Sequence, residues 1–417
     1  MRICLINDIE IGGGAANVAT GLAEGLCRSG HEVTRIVDEP DGTFHSWKTV
    51  QLVPESSWLL ATLIKLSRKS HLVPPSLEYA LSIPYQHSVI KKLRQLLAEI
   101  RPDIINIHNI HASRWSPSLV IEMAKWAEVV WTLHDTWSFT GRCCVESECK
   151  LFITECNSSC PTSNNYPRLP RWRIRREWNK RRRMFQSIPN LTAITPSKWL
   201  ADYARQGLWV KHQVEVIPNG VDTDIFRPKP KHEVRKLLEI PDDRPVLLMS
   251  AGNITDKLKG GDLLHSALLK VETPLTILLL GFGTWSSEPG RHRVISMGYV
   301  NNPRLLALVY SSADLVGYPT LADNLPVVLM EAVACGIPCV CTPVGGCPEI
   351  VREGESGWVA EDMSPHALAR AINQALSDLS SGKDFSISCR ALAEREFNLD
   401  LMVSRYQHLF ETLAMNT

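Results

Sequence analysis

Short apolar runs alternate with longer amphipathic stretches along the chain. The first run, RICLIN, is followed by a glycine loop and the helical pattern ANVATGLAEGLCRSG. The alternation continues through HEVTRIV, DIINIHN, EVVWTLHD, LTAITPS and QVEVIPNG. It restarts at PVLLMSAG and continues through LTILLLG, VISMGYV, ADLVGYP and IPCVCTPVGG. This rhythm predicts two successive α/β domains, each built on a doubly wound parallel sheet.

The length of 417 residues agrees with two domains, since one ordinary core does not extend over so long a chain. The boundary is predicted within IPNGVDTDIFRPKPKHE, where turn formers and prolines interrupt the pattern. We assign residues 1–217 to an N-terminal domain and 218–396 to a C-terminal domain. The last stretch, 397–417, has apolar residues at helical spacing and could close the second domain or cross back onto the first.

Charge and hydropathy narrow the class of protein. A formal net charge of +1 excludes a general polyanion binder, so no nucleic-acid partner is expected. The start, MRICLIND, reads as a first strand and not as a secretory signal. No apolar run is long enough to span a membrane, which takes about 18 residues. We expect a cytoplasmic protein, with the inner face of the membrane as an alternative location. The oligomeric state is not predicted.

A glycine loop follows the first predicted strand. Gly13 and Gly14 would let a ligand phosphate approach backbone amides at a helix N-terminus, where the helix dipole favours anions. Asn17 stands where the strict dinucleotide fingerprint requires glycine. A purely structural tight turn is the alternative interpretation.

Two further segments place polar groups near predicted strand ends. His134 follows the strand in WTLHDTW and could donate a hydrogen bond or relay a proton near neutral pH. The alternative is a histidine that only caps the strand. Lys257 and Lys259 precede a Gly-Gly pair at a predicted helix start, where an ammonium could neutralise a diphosphate. A solvated lysine pair is the alternative there.

The segment ADNLPVVLMEAVACGIPCVCTPVGGCPEI combines two acids with a helix start. Asp323 and Asn324 lie in a predicted loop, Pro326 begins the helix, and Glu331 lies inside it. The helix start at Asn324 and Leu325 presents free backbone N–H groups to an anion. Glu331 could accept both hydroxyls of a ribose, and Asp323 could hold sugar hydroxyls. The segment therefore predicts a receptor for a nucleotide sugar.

This D-x7-E spacing resembles the E-x7-E signature of the family 4 retaining glycosyltransferases, which have the GT-B fold. The resemblance extends to the glycine loop and to TLHD, TPSKWL, VIPNGVDTDIF and the Lys-Gly motif at 259 and 260. It implies two Rossmann-like domains facing a central cleft, with the terminal helix 397–417 packing back on the first domain. It also implies transfer of a sugar from a nucleoside-diphosphate sugar to an acceptor hydroxyl, with retention of the anomeric configuration, in polysaccharide or glycolipid biosynthesis.

Carried over position by position, the resemblance gives roles to single residues. It implies catalytic roles for His134, Asp323 and Lys259. It implies a donor-binding set of Gly13, Gly14, Asn253, Lys257, Lys259, Asp323, Asn324, Leu325 and Glu331. The donor is expected to be a UDP- or GDP-sugar, with no catalytic metal. Asp323 stands for the usual glutamate, and Asn253 stands where an arginine commonly accompanies the lysine, so Lys257 is the candidate to supply that charge.

Two interpretations from other classes stay open. The first is an NAD(P)-dependent oxidoreductase, which rests on the spacing of Gly12 and Gly14 and on Asp38 at the end of the second predicted strand. The second is a catalytically silent sugar-binding relative. The complete second α/β domain with its paired acids argues against the first, and intact Lys259, Glu331 and His134 argue against the second.

Two segments raise questions outside the donor set. Cys143, Cys149, Cys156 and Cys160 could hold a structural zinc or be unliganded thiols. Residues 168–183 contain nine Lys or Arg and could be a solvated face. Alternatively, this run contacts a membrane peripherally, with Trp172, Ile174 and Trp178 inserting among anionic lipids. The expected acceptor is a sugar or a lipid-linked sugar.

Overall fold

The computed structural model describes residues 1–53, 75–113, 115–145, 149–163, 165 and 167–415, with only the backbone of 75–83. The chain divides into two compact units. The first contains Met1–Pro196, Leu200–Ile217 and Val403–Thr417. The second contains Ser197–Trp199 and Pro218–Met402.

The first unit is built on a seven-stranded sheet. Its strands are β1 (Arg2–Ile9), β2 (Glu32–Glu39), β3 (Lys48–Gln51), β4 (Ile104–Ile107), β5 (Glu128–Thr132), β6 (Thr192–Thr195) and β7 (Gln213–Val216). Their order is β3-β2-β1-β4-β5-β6-β7, and every pairing is parallel. Most of the strand positions are buried, as expected for a parallel sheet whose two faces are both covered.

The second unit is built on a six-stranded parallel sheet. Its strands are β8 (Val246–Asn253), β9 (Thr276–Phe282), β10 (Arg293–Gly298), β11 (Leu315–Tyr318), β12 (Cys339–Cys341) and β13 (Gly357–Val359). Their order is β10-β9-β8-β11-β12-β13. One contiguous cluster of buried apolar side chains surrounds this sheet and includes Cys335, Cys339, Cys341 and Cys347.

Helices connect the strands of both sheets. In chain order they are α1 (Gly14–Arg28), α2 (Pro75–Ile100), α3 (Ser118–Met123), α4 (Leu151–Thr154), α5 (Arg171–Ser187), α6 (Lys198–Arg205), α7 (Lys231–Leu237), α8 (Gly261–Leu268), α9 (Pro303–Ser312), α10 (Val327–Ala334), α11 (Cys347–Ile350), α12 (Pro365–Ser380), α13 (Ser386–Glu396) and α14 (Leu399–Met415). A 3₁₀ turn, Lys257–Lys259, precedes α8. Among the described helices, none combines the length and apolar character needed to cross a membrane.

The strand order in each sheet reverses direction at one place. In the first sheet this switch point lies between β1 and β4, and in the second it lies between β8 and β11. Open α/β sheets bind their ligands outside the carboxyl ends of the strands at such a switch point. The segments that follow these four strands are therefore the places to look for a site.

The predicted α/β class with two parallel sheets is confirmed. Each apolar run proposed as a strand forms one, and two short edge strands, β3 and β13, escaped prediction. β13 has three residues and β3 has four, so neither is long enough to show a clear period of two.

The terminal helix α14 runs into the first unit from Val403 onward. There, Tyr406 Oη lies 3.1 Å from Thr132 Oγ1 at the end of β5, in a buried hydrogen bond. Val403 packs on Gly25 of α1, where a Cβ atom would lie 2.3 Å from Val403 Cγ2. A side chain at position 25 would therefore displace this helix.

The basic segment forms helix α5, and two of its apolar residues are wrongly predicted to insert into a membrane. Ile174 is fully buried and Trp178 is 4% exposed, so both belong to the interior of the first unit. Trp172 is 62% exposed. The helical period separates these residues onto opposite faces, which the run of arginines obscured in the sequence.

Candidate functional site

The second sheet brings Lys259 and Asp323 together at its switch point. Lys259 follows β8, Asp323 follows β11, and Lys259 Nζ donates to Asp323 Oδ2 at 2.8 Å. Tyr318 Oη donates to the same oxygen at 2.6 Å. The Asn324 amide donates to Asp323 Oδ1 at 2.9 Å. Both carboxylate oxygens of Asp323 are thus hydrogen-bonded, and the predicted donor lysine is its ion-pair partner.

The loop that carries Lys259 packs backbone to backbone against the loop after β11. Gly260 has a φ of 72°, and a Cβ atom there would lie 1.9 Å from the carbonyl oxygen of Pro319. The Leu258 carbonyl accepts hydrogen bonds from the Leu321 amide at 2.8 Å and from Thr320 Oγ1 at 3.1 Å. Only glycine satisfies both the left-handed conformation and this close approach.

A second pair of glycines supports Asp323 from the loop after β12. A Cβ atom on Gly345 would lie 1.8 Å from the carbonyl oxygen of Asp323, and one on Gly346 would lie 2.3 Å from that of Asn324. The Gly346 amide donates to the Asn324 carbonyl at 2.6 Å. The sequence showed these glycines, but their contact with the acidic loop is a tertiary feature.

Glu331 lies in α10, where it is half-buried. Tyr310 Oη, fully buried in α9, donates to Glu331 Oε2 at 2.8 Å. Burial raises the pKa of Glu331 to about 7, although the hydrogen bond from Tyr310 favours the ionised form and lowers it in part. Near neutral pH the carboxyl group therefore exchanges between its protonated and ionised forms.

Other members of the predicted donor set take different positions. Asn253 is exposed, and its Oδ1 accepts from the Thr255 amide at 2.9 Å, so it stabilises the turn after β8. Lys257 is exposed, and its ammonium forms no ion pair with the described residues. The expectation that the Asn324 amide is free for an anion is wrong, because Asp323 accepts its hydrogen bond. No described residue accepts a hydrogen bond from the Leu325 amide.

In the first unit, the glycine loop leads from β1 to α1 as predicted. Gly13 precedes the helix with a φ of 81°, and Gly14 is its first residue. A Cβ atom on either glycine would meet no atom within 4 Å. The loop surface is therefore open at both positions, and the backbone conformation restricts only Gly13.

Histidines and an aspartate gather beyond β4 and β5. His134 Nε2 lies 2.9 Å from Nδ1 of the buried His108, and His111 Nε2 lies 2.8 Å from Asp135 Oδ2. Burial lowers the pKa of His134 to about 4, with nearby His111 adding to the effect and Asp135 opposing it. Its imidazole is therefore neutral near neutral pH, which makes it a weaker base there, and its catalytic role stays a prediction.

The four clustered cysteines line one cavity of the first unit. Thr162 Oγ1 lies 3.6 Å from Cys143 Sγ and 3.7 Å from Cys160 Sγ. Among the described residues, no three of these four sulfurs lie within 4.8 Å of one another. Tetrahedral zinc with Zn–S bonds of about 2.3 Å needs closer sulfurs. The described side-chain positions therefore do not hold a zinc, and the predicted site would need the sulfurs to come closer together when the metal binds.

Fold and site together define a glycosyltransferase of the GT-B fold. Two parallel α/β units follow each other, and the second carries a Lys-Asp-Glu constellation at its switch point. The chain belongs to Glycosyltransferase Family 4, whose profile matches residues 12–225. A second profile, Glycosyl transferases group 1, matches residues 245–378.

One relative and two solved structures are similar to this chain. WcaC of Escherichia coli (strain K12), whose name assigns it to colanic acid biosynthesis as a glycosyl transferase, is 25% identical over 74% of this chain and 77% of its own. Sucrose-phosphate synthase from Thermosynechococcus elongatus has a TM-score of 0.73 at 19% identity, over 100% and 99% of the two chains. Anabaena HepE in complex with UDP-glucose has a TM-score of 0.65 at 17% identity, over 99% of each.

Proposed function

We propose that this glycosyltransferase uses a UDP- or GDP-sugar and transfers the sugar, with retention of anomeric configuration, to an acceptor hydroxyl. One observation carries the proposal. Lys259, Asp323 and Glu331 lie on the loops and helix that follow the two adjacent strands at the switch point of the second sheet. This combines a cation for a diphosphate with two carboxylates for hydroxyl groups.

Glu331 is proposed to accept hydrogen bonds from both ribose hydroxyls. Tyr310 occupies Oε2 from the core side and fixes the orientation of the carboxyl group. Each hydroxyl that binds favours the ionised form, so donor binding is expected to lower the raised pKa of Glu331. Because burial raises that pKa, the ionised form of Glu331 is destabilised in the free site. Hydrogen bonds from a bound ribose would offset this destabilisation.

Lys259 is proposed to neutralise the diphosphate. Its side chain is one-third exposed, so a phosphate can approach it while Asp323 turns to the hydroxyls of the donor sugar. The Leu325 amide, just before the helix α10, is a further donor to the same anion. Both groups bind more strongly as the diphosphate gains charge in the transition state.

The proposed reaction needs no additional co-substrate. The bond from the anomeric carbon to the diphosphate oxygen breaks, and a bond from that carbon to the acceptor oxygen forms on the same face. The acceptor proton passes to the departing diphosphate. The transition state has oxocarbenium character, and its negative charge develops on the diphosphate, where Lys259 acts.

The comparisons support the donor and the pathway class. The fold neighbour HepE was solved with UDP-glucose, and the relative WcaC is named for biosynthesis of a polysaccharide, colanic acid. We therefore propose a sugar or lipid-linked sugar as acceptor, in polysaccharide or glycolipid biosynthesis. Membership of a transferase family removes the basis for the oxidoreductase interpretation.

The test has a binding stage and a turnover stage. Thermal shifts with UDP, GDP and ADP identify the base, and release of nucleoside diphosphate from matching sugar donors then measures turnover, with and without NAD(P). NMR of the product reads the anomeric configuration. Binding without turnover on any donor would favour the catalytically silent relative, and an inverted product would contradict the proposed retention.

A further inference from the structure

A cavity of about 390 Å³ lies within the first unit. Helix α5 forms one wall, and the segments around Trp115, Trp137 and Pro167 form others. This volume lies in the usual range for small-molecule sites, about 300–1,000 Å³. None of the residues assigned to the donor lines it.

Cations dominate the charged groups of this cavity. The described cations that line it are Arg142, Arg168, Arg173, Lys180 and Arg181. Glu177 is the one carboxylate among the described lining residues. Lys180 Nζ and Arg173 Nη2 both donate to Glu177 Oε1, at 2.9 and 3.4 Å. One acid is thus shared by two bases, which leaves the lining with an excess of positive charge.

Two of these cations are buried without a carboxylate partner. Arg142 is 3% exposed, and its Nε donates to the Pro167 carbonyl at 2.8 Å. Arg181 is 2% exposed, and its Nε donates to the Trp137 carbonyl at 2.9 Å. Neither forms an ion pair within 4 Å with any described carboxylate. Both guanidinium groups donate only to neutral acceptors, which are carbonyl oxygens and, for Arg142, also Thr162 Oγ1 and Cys143 Sγ. Buried positive charge without a counter-ion favours an anionic ligand nearby.

Aromatic and imidazole groups complete the lining. Trp115 and Trp137 offer apolar ring surface, and the Arg181 guanidinium lies 3.9 Å from the centroid of the Trp137 ring. His111 also lines the cavity, and its Nε2 lies 2.8 Å from Asp135 Oδ2. A ligand with an anionic group and a ring with hydroxyls matches this combination.

We propose that this cavity binds the phosphate-bearing end of the acceptor. The inference rests on the proposed function, since it names the chemistry of the acceptor. A phosphate or diphosphate attached to a sugar supplies both the charge for the α5 cations and the ring for the tryptophans. A soluble sugar phosphate and a lipid-linked diphosphate share this chemistry, and the outward face of α5 carries Arg175, Arg176, Arg182 and Arg183 beside exposed Trp172.

The test uses charge changes of opposite sign within the cavity. The full chain carrying Lys259→Gln, which disables the proposed donor cation, is titrated calorimetrically with inorganic pyrophosphate and with glucose 1-phosphate at fixed ionic strength. Lys180→Gln in this background is expected to weaken binding about tenfold. Glu177→Gln is expected to strengthen it several-fold, and Arg183→Gln, on the outward face, is the matched control with no effect.

Vesicles distinguish the two sources of the phosphate. Sedimentation is compared between phosphatidylcholine vesicles with and without a polyprenyl diphosphate. Lys180-dependent binding to these lipids supports a lipid-linked acceptor, and Lys180-dependent binding of glucose 1-phosphate alone supports a soluble one. No anion binding, or equal losses in the Lys180 and Arg183 variants, overturns the proposal. Circular dichroism verifies that each variant is folded.

The proposed function is tested separately in the same proteins. Hydrolysis of the nucleotide sugar by water, without acceptor, depends on the donor site alone. It is expected in the wild type and should fall about 10²-fold in Lys259→Gln. Absent hydrolysis with intact pyrophosphate binding counts against the donor assignment, whereas intact hydrolysis with absent anion binding counts against the acceptor cavity.

Discussion

Replacing Glu331 by glutamine is expected to stabilise the protein and weaken donor binding together. Glutamine keeps the shape of the side chain and can still accept the hydrogen bond from Tyr310. It removes an acid that burial makes unfavourable to ionise. A residue that served only stability would not change these two properties in opposite directions.

The size of the stabilisation follows from the raised pKa of Glu331. The group loses its proton near its ordinary value of 4.5 in the unfolded chain and near about 7 in the folded one. Between these values the folded state binds more protons, so wild-type stability falls as pH rises. At about 1.4 kcal/mol per pKa unit, the gap costs ~3 kcal/mol at pH 8 and below about 1 kcal/mol at pH 5. The Glu331→Gln variant lacks this term.

Urea unfolding followed by circular dichroism at pH 5 and pH 8 measures the difference. The variant should gain about 2–3 kcal/mol over wild type between the two pH values. Titration with UDP and GDP at pH 8 should show donor affinity lower by about tenfold or more. Glu353→Gln, in an exposed turn, is the control for both assays. A stability difference independent of pH would refute the burial argument, and unchanged nucleotide affinity would refute the ribose role.

Three further outcomes are expected. Lys259→Gln should change the free energy of unfolding by less than about 1 kcal/mol, because its ion pair is partly exposed, yet it should lower donor turnover by about 10²-fold. The control Lys257→Gln should change neither quantity. Equal losses of turnover in the two variants would show that both cations bind phosphate. Gly260→Ala should cost more than about 2 kcal/mol in urea unfolding, whereas Gly252→Ala has open space and should be neutral. If Cys143, Cys149, Cys156 and Cys160 bind the predicted zinc, elemental analysis of protein purified without chelator should find about one zinc per chain, and less in Cys149→Ser. Metal-free protein with freely reactive thiols would exclude this zinc site.

The sequence was sufficient for the parallel sheets because their strands are short apolar runs separated by helical patterns. It also placed Lys259 and Asp323 each in a segment that follows a predicted strand, but the adjacency of those strands is known only from the sheet order. It did not show that the two side chains pair with each other. Nor did it identify Tyr310, which meets Glu331 from a different helix, or Tyr318, which meets Asp323 through the turn after β11.

Burial explains two further differences between the sequence predictions and the structure, at His134 and in helix α5. His134 was expected to donate a hydrogen bond or relay a proton near neutral pH, and the sequence could not show that burial lowers its pKa to about 4. Ile174 and Trp178 were interpreted as membrane-facing because cations surround them in the chain. In the folded helix they point to the interior, and only Trp172 shares the exposed face with the arginines. For Ile174 and Trp178, the difference depends on which face of helix α5 packs against the core.

The ion pair between Lys259 and Asp323 gives the donor site a built-in competitor. In the free protein the carboxylate already occupies the ammonium at 2.8 Å, so an incoming anion must displace it. A simple phosphate ion would separate Asp323 from its counter-ion without offering hydroxyl groups in return, at a cost of about 1 kcal/mol or less for this partly exposed pair. A nucleotide sugar in the proposed pose replaces both partners at once, offering phosphate to the lysine and hydroxyls to the acid. In this proposed pose the pair would therefore favour a ligand carrying both groups over free phosphate.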